Sequence, residues 1–351
     1  PQKAVSTAFF VPFSLSDRLF YHFLYYYMSN QIYRVAFFGS DEIAIPFLEY
    51  LHNECDFVRL SAVLTQPDRR SGRGRKMSEN PIKSWAKARS VPCRSPDKPT
   101  GVECNWLQEE RIDSILVMAY GHILKNQFLN VAPAGCYNLH ASLLPQYRGA
   151  SPIESAIAMG ENRSGVTLMR IIPRMDAGPI VDSESIAISS ADTGPSLRLK
   201  LSQSCVPLIK RNIASLVQGI AEEFTQVEEE SSYCRKLNKD DGNLNFSCTA
   251  QVLSNRIRAF QAWPGCSFFH DGHKFRIGSA EPKSDPDSLR EGETKRDEEG
   301  NFIIGTKQGV LRILEIQRPG GKMLKVSEFL RGFNFPFGEI LESLEMKDLT
   351  H

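Results

Sequence analysis

The sequence predicts a doubly wound, mostly parallel α/β domain followed by a small β-barrel domain, and three observations carry that expectation. At 351 residues the chain exceeds one ordinary core and suits two. Between residues 33 and 142 short apolar runs alternate with amphipathic stretches, the order that builds a parallel sheet covered by helices. Beyond residue 233 the pattern shifts to short apolar runs separated by glycine turns. Closure into a barrel is the economical way to hide the edges of such strands.

Residues 1–30 open with PQKAVSTAFFVPFSLSDRLFYHFLYYY, an aromatic-rich stretch whose apolar run is broken by Asp17 and Arg18. It is too short and interrupted for a membrane span and lacks the Arg-rich amphipathicity of a transit peptide. An extension outside the folded protein is expected there, with Met28 as a natural start. YRVAFFGS (33–40) reads as a strand ending in a tight turn, and DEIAIPFLEYLHN as the helix after it, capping residues first. VRLSAVLTQ (58–66), DSILVMAYG (113–121) and CYNLHAS (136–142) supply further strands, while NPIKSWAKARS and ECNWLQEER supply helices. GVTLMRIIPRMDAGPIVDSESIAI (165–188) reads as two strands around a loop. TGPSLRLKLSQSCVPLIKRNIASLVQG is one long amphipathic helix, closing a domain that spans 31–220. The linker 221–233 begins AEEFTQVEEESS, an acidic polar connector. In the second domain, 234–345, GNLNFSCTAQVLSNRIRAF gives a short helix, and GCSFFHDGHKFRIGSAEP and GNFIIGTKQGVLRILEIQRP give strands. Residues 281–299 hold eight acidic and four basic side chains and are expected as a solvated loop.

Composition excludes several function classes. Hydrophobic residues make up 41% and charged ones 24%, with a net charge of +1, so no global field directs the chain to nucleic acid or a membrane. Eight irregularly spaced cysteines without a C-x-x-C pair fit a reduced compartment and no structural zinc. His270 and His273 stand at a ligand-like interval, but Asp271-Gly272 between aromatic-rich runs is a hairpin signal, and no metal is expected. FFGSDE has one glycine where a dinucleotide fold needs G-x-G-x-x-G, and SGRGRK has the wrong spacing for a phosphate loop. A dehydrogenase and an ATPase lose their main support.

The chemistry gathers at GCYNLHASLLPQYRGASP (135–152). Side chains two apart in a strand share a face, so Asn138 and His140 project together from the strand's carboxyl end, where ligands of open α/β sheets collect. Asp176, in the loop of RMDAGPIV, can orient the imidazole. An amide, a ring base and a carboxylate, with no serine or cysteine nucleophile, suit attack of an external amine on an activated carbonyl. Asn138 would donate to the oxyanion, His140 would accept the amine proton near neutral pH, and Asp176 would hold the ring and stabilise its charged form. Against this stands the plainer reading of each residue as a satisfied structural polar group or turn residue.

NLHASLLPQYRGASPI (138–153) closely resembles the signature of the formyltransferase family that uses 10-formyltetrahydrofolate, and MDAGPIV (175–181) resembles its second motif. The resemblance implies a Rossmann-like catalytic domain and carries over Asn138, His140 and Asp176 as the catalytic set. It also implies a folate pocket lined by Ser142, Leu143, Leu144, Pro145 and the MAYGHIL segment with Tyr120 and Gly121. The family often has glycine at Ala141 and threonine at Ala177, small residues in both cases.

Residues 66–89 hold eight basic and two acidic side chains, a local +6 that leaves −5 for the rest, as expected of a loop meeting a phosphate backbone. TQPDRRSGRGRK (65–76) resembles the inserted loop of the methionyl-tRNA branch of the family, which enters the acceptor stem of initiator tRNA. That implies tRNA contacts from Arg69, Arg73, Arg75 and Lys76, with Arg73 foremost. CRKLNKDDGNLNF, IRAFQAWPG and GVLRILEIQRPGGKMLKVSEFLRG resemble the branch's OB-like C-terminal domain, which supports tRNA binding. The implied reaction is formyl transfer from 10-formyltetrahydrofolate to the methionine amine of initiator tRNA, for translation initiation, by a monomer without membrane or metal. A bacterial cytoplasm is the expected location, and a mitochondrion follows instead if the first residues are a transit peptide. Two alternatives stay open: a formyltransferase for an amino sugar or a formyl-folate hydrolase with the same trio, and a tRNA-binding protein without catalysis.

Overall fold

The computed structural model describes residues 31–71, 76–284 and 289–351. Its N-terminal unit is built on a sheet whose strands, in chain order, begin with β1 (Tyr33–Gly39) and β2 (Val58–Leu64). A short pair follows, β3 (Arg69–Ser71) and β4 (Lys76–Ser78). Then come β5 (Cys93–Arg94), β6 (Ser114–Met118), β7 (Cys136–His140), the two-residue β8 (Arg148–Gly149), β9 (Arg163–Arg170) and β10 (Ile180–Ala187). The sheet order is β5-β2-β1-β6-β7-β9-β10. From β5 to β7 the strands are parallel; β9 alone runs against them, antiparallel to both β7 and β10. The doubly wound expectation therefore holds, with an antiparallel hairpin added at one edge.

Both faces of this sheet are covered, which is why its central strands read as continuous apolar runs. Phe37 and Phe38 are each fully buried and, two-fold alternation being obligatory, enter different cores. Phe37 joins the helices α1 (Ile45–Asn53) and, later in the chain, the 25-residue helix of Gly194–Gln218; Phe38 packs with Trp106, Leu107 and Phe128. The helices start where capping chemistry allows. Asn80 accepts from the amides of Ile82 and Lys83 to open α2 (Pro81–Ala88), with Pro81 at the first turn. Thr100 and Glu103 form a capping box for α3 (Gly101–Glu109). The short α4 (Asn126–Leu129) and α5 (Pro152–Ala158) precede α6, the long helix Gly194–Gln218, which is opened by Thr193. The single glycine of FFGS is required by proximity rather than by a cofactor. A Cβ on Gly39 would stand 2.5 Å from the Met118 carbonyl oxygen of β6.

Residues 221–233 are acidic, as read from the sequence, but they do not hang free. Phe224 exchanges two 2.8 Å backbone hydrogen bonds with Ile180, and β11 (Tyr233–Cys234) pairs in parallel with β8. After α7 (Ala250–Ala259) the C-terminal unit forms a second, antiparallel sheet from β12 (Cys266–His270), β13 (His273–Lys283), β14 (Thr294–Arg296), β15 (Phe302–Gly305), β16 (Val310–Gln317) and β17 (Leu324–Lys325), followed by α8 (Val326–Gly332). Its order is β12-β13-β16-β15-β14, with β17 on β16. Among the described residues β12 and β14 do not pair, and the unit is an antiparallel half-barrel, consistent with the small OB-like barrel expected. The edge at β14 is covered by the C-terminal segment, since the Thr294 amide donates to the Glu339 carbonyl. This also revises the solvated-loop expectation for 281–299: Thr294 is fully buried, while residues 285–288 lie outside the described residues. Asp271 and Gly272 form the β12–β13 turn with φ of +48° and +71°, the hairpin geometry expected of Asp-Gly. His270 and His273 pair across it, and the His273 ring bonds to the Asp271 carbonyl. The apolar core that contains Phe37 continues through α6 and α7 into Phe268 and Phe302 of this sheet. Among the described residues no helix is long and apolar enough to cross a membrane.

Candidate active site

The carboxyl ends of β1, β2, β6 and β7 converge on one edge of the main sheet. On β7 the alternation puts Asn138 and His140 on the same face. Asn138 is half-buried, and its side-chain amide has no hydrogen-bond partner among the described residues. His140 is 6% exposed. Its Nε2 lies 2.8 Å from the Tyr147 carbonyl oxygen. A carbonyl only accepts, so Nε2 carries the hydrogen, and in the neutral ring Nδ1 is left with a free lone pair. Nδ1 faces Asp176, whose Oδ2 is 3.7 Å away. That separation is too long for a hydrogen bond, and the contact becomes an ion pair when the ring takes a proton.

Asp176 therefore does not hold the ring as the sequence reading had it. The hydrogen bond to the imidazole comes from the Tyr147 carbonyl, and the Asp176 carboxylate stands beyond hydrogen-bond reach. Asp176 Oδ2 itself accepts from the Gly149 amide at 2.9 Å, and the residue adopts φ +48°, a left-handed conformation that a non-glycine residue keeps only when its surroundings enforce it. Tyr147, at φ +57°, is likewise left-handed. Sequence reasoning missed Tyr147, because a backbone acceptor has no residue signature.

The turn after β7 is fixed from within. Ser142 Oγ donates to the Gln146 carbonyl at 2.7 Å, Thr167 Oγ1 donates to the Ser142 carbonyl at 2.7 Å, and the Leu144 amide donates to Thr167 Oγ1 at 3.0 Å. Ser142 and Leu144 are buried, so a ligand on this turn meets chiefly the partly exposed Leu143 and Pro145. Tyr120 is 2% exposed with its ring against Phe38, centroids 5.6 Å apart, and burial pushes its hydroxyl up to about 12. Of the two residues taken from MAYGHIL, Tyr120 is thus closed off from a ligand, its hydroxyl buried without a hydrogen-bond partner among the described residues. Gly121, at φ +73°, lies against Gln66, whose Nε2 donates to the Tyr120 carbonyl at 2.6 Å. His122 stands next along; burial, then Arg69 and Lys98, lower its pKa.

Of the predicted basic contacts, Arg73 and Arg75 lie outside the described residues, as does the side chain of Lys76. The flanks of that loop form the β3–β4 hairpin, with Arg69 paired to Ser78. The hairpin's base is pinned by Asp68, which accepts from the Asn80 amide at 3.0 Å and from Lys83 Nζ at 2.7 Å. Arg69 is exposed and donates to Gln66 Oε1, so the basic stem sits beside the crevice.

Comparison with known proteins agrees with this geometry. Residues 33–208 match the family model described as formyl transferase, and residues 236–334 match the formyl transferase C-terminal domain. The chain belongs to the formyltransferase family. Among curated relatives of this formyltransferase, the methionyl-tRNA formyltransferase of Caldanaerobacter subterraneus is 35% identical over 88% of this chain and 100% of its own. That of Methylococcus capsulatus is 37% identical over 85% and 96%. Among solved structures, an N-formyltransferase from Helicobacter canadensis, in complex with folinic acid and dTDP-3-aminofucose, superposes with a TM-score of 0.60 at 22% identity. It covers 82% of this formyltransferase and 100% of that chain. At that identity the likeness is one of fold.

Proposed function

We propose that this formyltransferase moves a formyl group from 10-formyltetrahydrofolate to the α-amine of methionine on initiator tRNA. The observation that carries the reading is the state of His140: Nε2–H bonded to a carbonyl, Nδ1 without a hydrogen bond, and a carboxylate oxygen 3.7 Å from Nδ1. The amine nitrogen attacks the formyl carbon, a C–N bond forms, and the carbonyl oxygen gains charge that the Asn138 amide stabilises. His140 Nδ1 takes the proton the amine must lose, and Asp176 stabilises the imidazolium. Collapse breaks the bond to N10 of the folate, which receives the proton, so the ring returns to its starting state.

In this reading the donor lies against Leu143, Pro145 and Gly121, with Tyr120 buried behind them. Residues 31–220 carry the chemistry, residues 234–345 support the tRNA, and 221–233 join them. Arg69, Arg73, Arg75 and Lys76 meet the acceptor stem. In this reading the acting unit is a single chain.

The test is steady-state formylation of charged initiator tRNA by the wild type, Asn138→Ala and Arg73→Ala. Removing the oxyanion donor should lower kcat by about 10²–10³. Arg73→Ala should raise KM for tRNA and leave KM for the folate alone. A wild type that leaves methionyl-tRNA untouched, or formylates a nucleotide-linked amino sugar in its place, overturns the reading.

A further inference from the structure

Arg148 is the largest fully buried side chain in the molecule's described part, yet no step of the chemistry above uses it. Its guanidinium is shared among three residues of the linker. Nε and Nη2 both donate to Gln226 Oε1, at 3.0 and 2.9 Å, while Nη1 donates to Glu228 Oε2 at 3.0 Å and to the Tyr233 hydroxyl at 2.9 Å. The other end of the Gln226 amide points the opposite way. Its Nε2 donates to the Asp176 carbonyl at 2.9 Å and to the Gly178 carbonyl at 2.7 Å. Two lone pairs and two hydrogens of one primary amide are thus all engaged, the full complement such a group can make. The guanidinium dictates which end of the amide is the acceptor, and so which end grips the loop that carries Asp176.

The same strand of linker also supports the partner on the other side of the imidazole. Ser232 Oγ accepts from the Tyr147 amide at 2.9 Å, the Ser232 carbonyl accepts from the Arg148 amide at 2.8 Å, and the Cys234 carbonyl accepts from the Ala150 amide at 3.0 Å. Tyr147 supplies the carbonyl that holds His140 Nε2, and Gly149 donates to Asp176 Oδ2. Both neighbours of His140 are in left-handed backbone and both are anchored on residues 226–234. We propose that Gln226, locked by the buried Arg148, is a positioning residue that sets Asp176 against His140, so that the linker is part of the active site rather than a tether.

The proposal rests on the formyl-transfer reading for its kinetic form and on geometry alone for its physical form. The charged and titratable groups around the imidazole are the Asp176 carboxylate, the Arg148–Glu228 pair and the Cys234 thiol. Burial pushes that thiol up to about 11, so it stays neutral across the working range. Asp176 is then the group whose displacement the imidazole feels.

The experiment compares Gln226→Glu and Gln226→Met with Asp176→Asn and with the double variant Gln226→Glu/Asp176→Asn, using the full chain. Glutamate keeps the acceptor for Arg148 and loses the donor to Asp176; methionine keeps the volume without new charge and serves if glutamate unfolds the protein. Expected for both single Gln226 variants are KM values for tRNA and folate within about twofold of wild type, and kcat lower by about 10²-fold, the scale set by a small misplacement. The double variant should be no slower than Asp176→Asn. NMR resonances of the His140 ring, compared between wild type and Gln226→Met, read the displacement of its neighbour without turnover. Multiplicative losses in the double variant, a raised KM with unchanged kcat, or unmoved His140 ring resonances overturn the proposal. A wild type that fails to formylate while those resonances still move would instead sink the reaction assigned above and leave the positioning role standing.

Discussion

The imidazole of His140 has one nitrogen free for chemistry, and the reason is a single backbone oxygen. With Nε2–H bonded to Tyr147 at 2.8 Å, protonation at Nδ1 makes a cation 3.7 Å from the Asp176 carboxylate, in a site where both side chains are largely buried. The arrangement depends on Gly149 as much as on the trio. Gly149 has φ +110°, and a Cβ there would stand 2.3 Å from the Cys234 carbonyl oxygen. Alanine at 149 must push away the strand β11 and withdraw the amide that caps Asp176. Gly149→Ala should lower kcat by about 10²-fold and stability by about 2–4 kcal/mol, read by steady-state kinetics and by urea denaturation. Gly272→Ala is the matched control: its φ is +71° but nothing lies within 4 Å. It should cost about 1 kcal/mol and no activity.

Helix α6 is the element that joins the two units, and its first turn is held by a carboxylate. Asp192 Oδ2 accepts from the Ser189 amide and Lys200 Nζ, both at 2.7 Å, and Oδ1 accepts from Ser196 Oγ at 2.9 Å. From the C-terminal unit, Arg258 on α7 donates to the Asp192 carbonyl at 2.5 Å. Burial by itself raises this carboxyl, but the hydrogen bonds from Lys200, Ser189 and Ser196 outweigh it and hold the group well below the usual carboxylate range. A folded-state pKa below the unfolded value of about 3.9 means the contribution is present above about pH 4 and is lost as pH falls further. Asp192→Asn should therefore cost about 1–3 kcal/mol at about pH 7 in urea denaturation, with the difference from wild type shrinking as the pH is lowered below about 4. The same element scale explains what the sequence made legible. Strands β1, β2, β6 and β7 are buried on both faces and announce themselves as apolar runs, and Asn138 and His140 follow from two-residue periodicity. The pair β8 and β11 spans two residues each, too few for any period, and its partners lie far apart in the chain. Gln226 and the Tyr147 carbonyl owe their roles to that pairing, so they surface only in three dimensions.

Across the whole molecule, charge is distributed against the average. A net of +1 hides a segment, 66–89, that carries +6, and the structure anchors that segment's base at the mouth of the crevice through Asp68, Asn80 and Lys83. Arg69 donates to Gln66, and Gln66 donates to the Tyr120 carbonyl, so the basic hairpin is hydrogen-bonded to the crevice edge. A positive segment in a chain whose remainder is net acidic favours approach of a polyanion on this side. Binding that releases counterions has a logarithmic salt dependence whose slope counts phosphate contacts, about 0.7–0.9 per contact. KM for initiator tRNA should accordingly rise steeply between low and physiological salt, while KM for the folate stays nearly flat. Arg73→Ala should flatten the tRNA slope by about one contact. A slope unchanged by Arg73→Ala in a KCl titration would mean that the loop meets the tRNA through bases or shape rather than through phosphate charge.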